Sequence, residues 1–238
     1  MKYIIITIFF ILSQFSFSNT CEELGILALS NCAFFRYEEA FEILNINYER
    51  CKDNCDFIRT FNRLLSLSTD NNFNKINIEN ILKEEKCKQN ILPFGPIFYY
   101  LRKGDIKSLY EKFPEDKIRK VVGDYIFFVH LRKGEACNVL KNLYKKNKMQ
   151  FFASYGAAYY FYKCGDIEKA REIASIRFNH FYKENKCLLC KVNDGLPNVT
   201  VEKIIYSLIF NIELQKDEKD KLRKSKEYFP YIFKLYDF

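Results

Sequence analysis

Three stretches of the sequence decide its fold: FYYLRKGDI at residues 98–106, FFVHLRKGEA at 127–136 and YYFYKCGDI at 159–167. Each begins with aromatic and aliphatic residues, passes through basic residues to a glycine, and then reaches an acidic residue. The glycines stand at positions 104, 134 and 165, so 30 and 31 residues separate them. A signature that returns at a near-constant interval predicts a repeat protein.

Each stretch has the pattern of a helical hairpin. Glycine suits the left-handed position that ends a first helix, and an acidic residue just after it favours the start of a second. The same register extends backwards to a unit at residues 27–40, which turns near residue 35 without a glycine, and to a polar turn signal at residues 66–72. We therefore predict hairpin turns near residues 35, 70, 104, 134 and 165.

The pattern resembles the tetratricopeptide repeat family. The residues that carry the resemblance are Ala28, Tyr37 and Ala40 in the first unit, and Ala158, Phe161, Gly165 and Ala170 in the fifth. The resemblance implies a right-handed solenoid of about five to six helix pairs, whose concave face binds proteins or peptides. By the same analogy, candidate binding positions on that face are Asn31, Tyr100, His130 and Phe161.

The predicted organisation has four parts. Residues 1–18 combine Lys2 with an apolar run and small residues at Ser16 and Ser18, which is the layout of a secretory signal peptide. Residues 19–185 form the repeats, 186–199 a cysteine-containing exposed loop, and 200–238 capping helices. An uncleaved membrane anchor is the alternative for the first part, and a plain irregular all-α bundle is the alternative for the repeats.

The nine cysteines and the signal peptide indicate an oxidising compartment. In the hairpin model Cys137 and Cys164 lie at the same edge of adjacent helices, which predicts a disulfide between them. Four cysteines at the opposite edge are expected to pair with one another, most simply as Cys21–Cys55 and Cys51–Cys87. Cys187 and Cys190 would close a local loop, and Cys32 would remain as a small buried residue.

Two short motifs allow more than one interpretation. The Cys187-x-x-Cys190 motif is read as a structural disulfide, because a redox site of the thioredoxin type follows a strand and opens a helix. A redox or metal role for it stays the alternative. Asn198-Val199-Thr200 is an N-glycosylation sequon, meaningful in a eukaryotic host.

Composition narrows the function. Two histidines exclude a three-histidine zinc site, and eight glycines argue against glycine-rich phosphate loops. We predict a non-catalytic module, without cofactor or metal, that binds a protein or peptide, does not bind nucleic acid, and has no membrane span after signal cleavage. It would be secreted or luminal to the endoplasmic reticulum, or periplasmic or exterior in a bacterium. Alternatives are a luminal co-chaperone-like folding factor, a thiol-disulfide oxidoreductase using Cys187 and Cys190, and a secreted effector of a parasite or pathogen.

Overall fold

The computed structural model describes residues 19–69, 72, 87, 92–132, 136–145, 154–182 and 186–238. Within these ranges the regular backbone is helical and contains no strand, which confirms the predicted all-α class. None of the described helices has the length and apolar character needed to span a bilayer. The predicted signal peptide at 1–18 and the turns expected at residue 70 and Gly134 lie outside the described residues.

The first and third helices begin at residues whose side chains cap them. Thr20 and Glu23 form a reciprocal capping box at the first helix, and the Asn54 side chain accepts from the Phe57 amide at 2.9 Å. The described helices are α1 (Cys21–Ala33), α2 (Tyr37–Cys51), α3 (Cys55–Leu67), α4 (Phe94–Lys103), α5 (Ile106–Lys112) and α6 (Glu115–Ile126), which continues into a π-helical turn at Phe127–Leu131.

The later helices differ from the prediction at their ends. They are α7 (Ala136–Lys145), α8 (Ser154–Lys163), α9 (Ile167–Tyr182), α10 (Pro197–Phe210), α11 (Lys216–Tyr228) and α12 (Pro230–Lys234). The capping helices were predicted to begin at residue 200, but α10 already begins at Pro197, and the buried Thr200 hydroxyl donates to the Asp194 carbonyl at 2.6 Å. Pro230 opens α12, because proline fits the first turn of a helix.

Two of the predicted hairpin turns have the expected geometry. Gly104 has a φ of +70° and Gly165 a φ of +78°, both in the left-handed region that glycine enters without steric cost. Asp105 then accepts a hydrogen bond from the Ser108 amide at 3.1 Å and starts α5. At the glycine-free first turn, Phe35 itself takes a left-handed φ of +60°.

The first helices of successive hairpins form a row. α1 packs on α3, α3 on α4, α4 on α6, α6 on α8, and α8 on α10, while α2, α5, α9 and α11 each pack on the first helix of their own hairpin. Alanines permit the close approach within hairpins, and they are fully buried: Ala28 and Ala40 between α1 and α2, Ala158 and Ala170 between α8 and α9.

The last third of the chain returns to the first hairpin. Tyr37, at the start of α2, has ring contacts with Tyr228 at 5.2 Å and Phe229 at 5.1 Å between centroids. The Gly195 amide donates to the Ala33 carbonyl at 3.3 Å, and a side chain at position 195 would collide with the carbonyl oxygen of Cys32. α11 was expected only to cap the end of the row, whereas it also covers the beginning.

The disulfides agree with the prediction at one edge of the hairpins. Cys137 and Cys164 are bonded, with Cα atoms 5.9 Å apart, and Cys187 and Cys190 are bonded with Cα atoms 5.8 Å apart. Cys32 is unpaired and completely buried. These three features match the assignments made from the sequence.

The pairing predicted at the other edge was wrong. The structure joins Cys21 to Cys51 and Cys55 to Cys87, rather than Cys21 to Cys55 and Cys51 to Cys87. Cys21 opens α1 and Cys51 ends α2, so antiparallel packing brings them together at the open end of one hairpin. Cys21 and Cys51 are 30 residues apart in the sequence, and Cys55 and Cys87 are 32 apart. These similar separations indicate one disulfide for each successive hairpin.

Candidate functional site

Three of the predicted binding positions do not line a common groove. The rings of Tyr100 and Phe161 are buried in the core, at 5% and 2% exposure. Asn31 is half-buried in the last turn of α1, where its side-chain amide donates to the Leu27 carbonyl at 3.0 Å. Because aromatic residues on the first helices pack between neighbouring helices, the analogy with a concave peptide surface was wrong for Tyr100 and Phe161.

The fourth position, His130, contacts the chain's own C-terminal part. Its Nε2 lies 2.9 Å from the Leu235 carbonyl oxygen. Next to it, Tyr236 stacks on Tyr125 with ring centroids 5.0 Å apart, and the Tyr159 hydroxyl donates to the Tyr236 carbonyl at 2.9 Å. His130 is therefore committed to an internal contact instead of an external ligand.

These contacts belong to a closing segment, which we define as residues 229–238. Its helix α12 packs on α3, α10 and α11, and the residues after α12 reach α6 and α8. We call the side of the helix row that it covers the inner face. The side chains that the closing segment buries are Phe229, Ile232, Phe233, Leu235 and Tyr236.

The loop that contains Cys187 and Cys190 is tied to α11 by one carboxylate. Glu218 is buried, and its Oε1 accepts hydrogen bonds from the Leu188 and Leu189 amides at 2.6 and 3.0 Å. Its other oxygen accepts from the Gln215 amide at 2.9 Å and so caps α11. The sequence predicted an exposed loop here, but Leu188 and Leu189 are buried because this carboxylate satisfies their amides.

A second buried polar cluster lies where α9 meets α10. Glu202 pairs with Arg177, whose Nη2 is 3.1 Å from the carboxylate, and accepts from the Tyr206 hydroxyl at 2.5 Å. Burial raises the pKa of Glu202 and, together with the nearby carboxylate, that of Tyr206. Close by, Lys203 and Asp194 form a fully buried ion pair. Because each charged group of the cluster already has a partner of opposite charge, we interpret the cluster as a structural link between helices and not as a substrate site.

An open groove of about 750 Å³ lies between the first hairpin turn and α11. We call it the basic–aromatic groove. Its walls are Phe34, Phe35 and Arg36 on one side, and Asp220, Lys221, Arg223, Lys224, Glu227 and Tyr228 on the other. In contrast to the inner face, it is accessible to a partner.

Cations stand over aromatic rings along this groove. Arg36 lies 5.9 Å from the ring centroid of Phe34, and Lys224 lies 5.9 Å from that of Tyr37. Lys221 is 5.8 Å from the ring of Phe35. At these distances the ring faces attract the cations.

Sequence reasoning did not select these residues. The mixed charges of α11 are typical of a solvated helix face, and that description fits Arg223, which is paired with Asp220 at 3.3 Å. The available signal was the first turn, where Phe35, next to Phe34, takes the left-handed φ that Gly104 and Gly165 take at their turns. Large side chains kept at a turn despite backbone strain point to a use for them.

The sequon asparagine is only half-exposed. Asn198 lies in the first turn of α10, and its Oδ1 accepts from Arg63 Nη2 at 3.5 Å. It lines a smaller cavity of about 320 Å³ together with Phe94 and Tyr155. A glycan on Asn198 would have to leave through the mouth of this cavity, so the exposed loop position expected from the sequence is not what the structure shows.

Within the described residues, no group of three or more histidine, cysteine, aspartate and glutamate side chains is arranged to hold a metal ion. Comparison of the chain with protein-family models, with curated proteins and with solved structures finds no match. The function must therefore be argued from the geometry itself.

Proposed function

We propose that the chain is a divergent tetratricopeptide-like solenoid that acts as a non-catalytic protein- or peptide-binding module in the secretory pathway or outside the cell. The observation that carries this proposal is the uninterrupted row α1, α3, α4, α6, α8 and α10, with second helices packed along it. Stacked hairpins make extended, rigid surfaces, and such surfaces commonly serve recognition.

The four disulfides support the proposed compartment. Each closes a loop of about thirty residues or fewer, and such bonds persist in oxidising surroundings. They would hold the hairpins in place for a chain that works outside the reducing cytosol.

The partner surface is proposed to lie outside the inner face. The closing segment buries its own aromatic residues there, so a peptide would have to displace Phe233 and Tyr236. The basic–aromatic groove needs no displacement, because Phe34 is already 52% exposed. Large exposed aromatic side chains near cations are typical of protein-recognition sites.

Selection from a displayed library of random peptides tests the proposed function. The full chain, secreted and oxidised, serves as bait, and the same chain reduced and alkylated serves as the matched control. We expect peptides with a shared motif to be enriched on the oxidised chain only, and to bind it with one-to-one stoichiometry in calorimetry. If no peptide prefers the oxidised chain over the alkylated control, the proposed function is wrong.

One observation favours a second candidate, thiol-disulfide exchange at Cys187–Cys190. Cys190 is exposed while Cys187 is buried, with its sulfur 3.3 Å from the Glu218 carboxylate. An insulin-reduction assay separates the two functions. A binding module leaves the rate of the chemical reductant unchanged, whereas an acceleration that disappears in Cys187→Ser would establish the oxidoreductase.

A further inference from the structure

We infer that the basic–aromatic groove binds an extended acidic peptide segment of a partner protein, with an aromatic or aliphatic side chain between its carboxylates. This inference rests on the proposed function and adds the site and the chemistry of the partner. It places the ligand between the first hairpin turn and α11.

Two cations of the groove are available to an incoming carboxylate. Four positive side chains, Arg36, Lys221, Arg223 and Lys224, face two negative ones, Asp220 and Glu227. Arg223 is paired with Asp220. Arg36 and Lys224 stand over rings instead, and neither is paired with a carboxylate of the described residues. Two carboxylates could bind them without breaking an ion pair.

The apolar part of the groove supplies the anchor site. Phe34 is exposed, and Phe35 and Tyr228 are half-buried beside it. Burying an aromatic or aliphatic side chain against such rings contributes about 1.5–3 kcal/mol when the burial is complete. An acidic peptide without an apolar residue would leave these rings exposed, which is why we specify both features.

The walls of the groove are fixed before any ligand arrives. Lys221 Nζ donates to the Leu189 carbonyl at 3.0 Å, so the disulfide loop holds one wall. On the other side, the Arg36 amide donates to the Asn31 carbonyl at 2.9 Å and closes the turn on α1. Preorganised walls lower the entropic cost of binding.

The charge pattern favours a peptide over a polyanion. A nucleic acid or a sulfated glycan presents a continuous row of negative charge, and binding it requires a matching row of cations. Here Asp220 and Glu227 interrupt the positive residues of α11. Separated carboxylates on a peptide avoid these two positions, whereas a continuous polyanion meets both.

The test uses a fluorescent synthetic peptide of alternating acidic residues with a central phenylalanine. Two peptide controls accompany it: the Asn/Gln isostere, which removes the charge, and the acidic peptide with central serine, which removes the anchor. We expect saturable binding of the first peptide, weakened about tenfold by either change. Binding should also weaken as the NaCl concentration rises from about 50 mM to about 300 mM, since exposed charges are screened.

Charge reversal identifies the site. Arg36→Glu and Lys224→Glu should each weaken binding about tenfold or more, because each turns an attraction into a repulsion. Lys216→Glu is the matched control, since it makes the same change of charge on α11 at an exposed position outside the groove, and it should change affinity less than twofold. As a check independent of mutation, bound peptide should protect Lys224, but not Lys216, from acetylation.

The outcomes separate the site from the function. If library peptides bind the oxidised chain and neither Arg36→Glu nor Lys224→Glu weakens that binding, the proposed function is supported and the acidic-groove inference is overturned. If a heparin fragment or single-stranded DNA binds this groove more tightly than the acidic peptide, the inference is overturned in favour of a polyanion. If no peptide binds at all, both proposals fall.

Discussion

The Tyr37 hydroxyl lies 2.5 Å from Ser225 Oγ, although 188 residues separate the two in the chain. The same hydroxyl donates to the Gly195 carbonyl at 2.8 Å, so Ser225 must donate to Tyr37. One buried phenol thus ties α2 to the loop before α10 and to α11. Burial strongly raises its pKa, so the hydroxyl keeps its proton.

We expect Tyr37→Phe to lower the free energy of unfolding by about 1–3 kcal/mol, because it leaves the Gly195 carbonyl without its donor. Ser225→Ala should cost less, and the double variant should show a coupling energy of about 1 kcal/mol in a double-mutant cycle. Urea denaturation measures all three. Tyr110→Phe, at a partly exposed tyrosine, is the control and should stay within about 0.5 kcal/mol.

The disulfide connectivity can be read from one tryptic digest of the unreduced chain. Cleavage after Lys52 separates Cys51 from Cys55. We expect one linked product that contains Cys21 with Cys51 and another that contains Cys55 with Cys87, since each bond staples one hairpin. A product that links Cys21 to Cys55 would contradict this arrangement.

Cys32 should not react with thiol reagents in the native chain. It is completely buried, and burial raises the pKa of its thiol to about 12. We expect no reaction with an aromatic disulfide reagent at about pH 8, because the reagent needs an accessible thiolate. In concentrated guanidinium one thiol per chain should react. Reaction of a native thiol at the rate of free cysteine would show that this part of the core is open.

The same thiol gives stability a defined pH dependence. Above its ordinary value of 9.0 the unfolded chain loses the Cys32 proton, while the folded chain keeps it up to about 12. The unfolded state then binds fewer protons, so the free energy of unfolding falls with rising pH, by at most about 1.4 kcal/mol per pH unit. Cys32→Ala should reduce this slope between about pH 9 and about pH 10.5, measured by urea denaturation against the parent chain, and the buried tyrosines with raised pKa values account for the slope that remains.

The closing segment should contribute strongly to stability through Tyr236. Tyr236→Ala removes a fully buried ring from its stack on Tyr125, and we expect a loss of about 3–5 kcal/mol in the free energy of unfolding. Asp237→Asn is the neighbouring control, because asparagine tolerates the left-handed φ of this residue and keeps an acceptor for the Tyr125 hydroxyl. Its carboxylate is 59% exposed and lies 3.6 Å from Lys163, so its loss should cost about 1 kcal/mol or less. Equal effects of the two changes would argue against a packed inner face.

The hairpins could be predicted because their signals are local. Gly104 with Asp105, and Gly165 with Asp166, each encode a helix end and a helix start within two residues. Disulfide Cys137–Cys164 followed from the same register. The pairing predicted for the other four cysteines was wrong. The sequence places all four at one edge of the hairpins and does not show which of them lie closest to each other.

The groove and the closing segment could not be predicted, because residues far apart in the chain build them. Arg36 and Lys224 come from opposite ends of the repeat row, and no periodic pattern links them. Likewise, nothing local to residues 229–238 distinguishes a segment that covers an inner face from one that caps a row. These contacts between distant residues depend on how the whole row of helices curves. The spacing of the hairpins in the sequence does not specify that curvature.

The order of synthesis gives the closing segment a further consequence. Residues 229–238 leave the ribosome after every helix that they cover. While the earlier helices form, Tyr125 and Tyr159 therefore lack their contacts with Tyr236. During that interval these aromatic side chains are exposed to solvent, and exposed apolar surface of this kind promotes aggregation. A chain that ends before Phe229 would keep this surface exposed, and we expect it to aggregate more readily than the full chain.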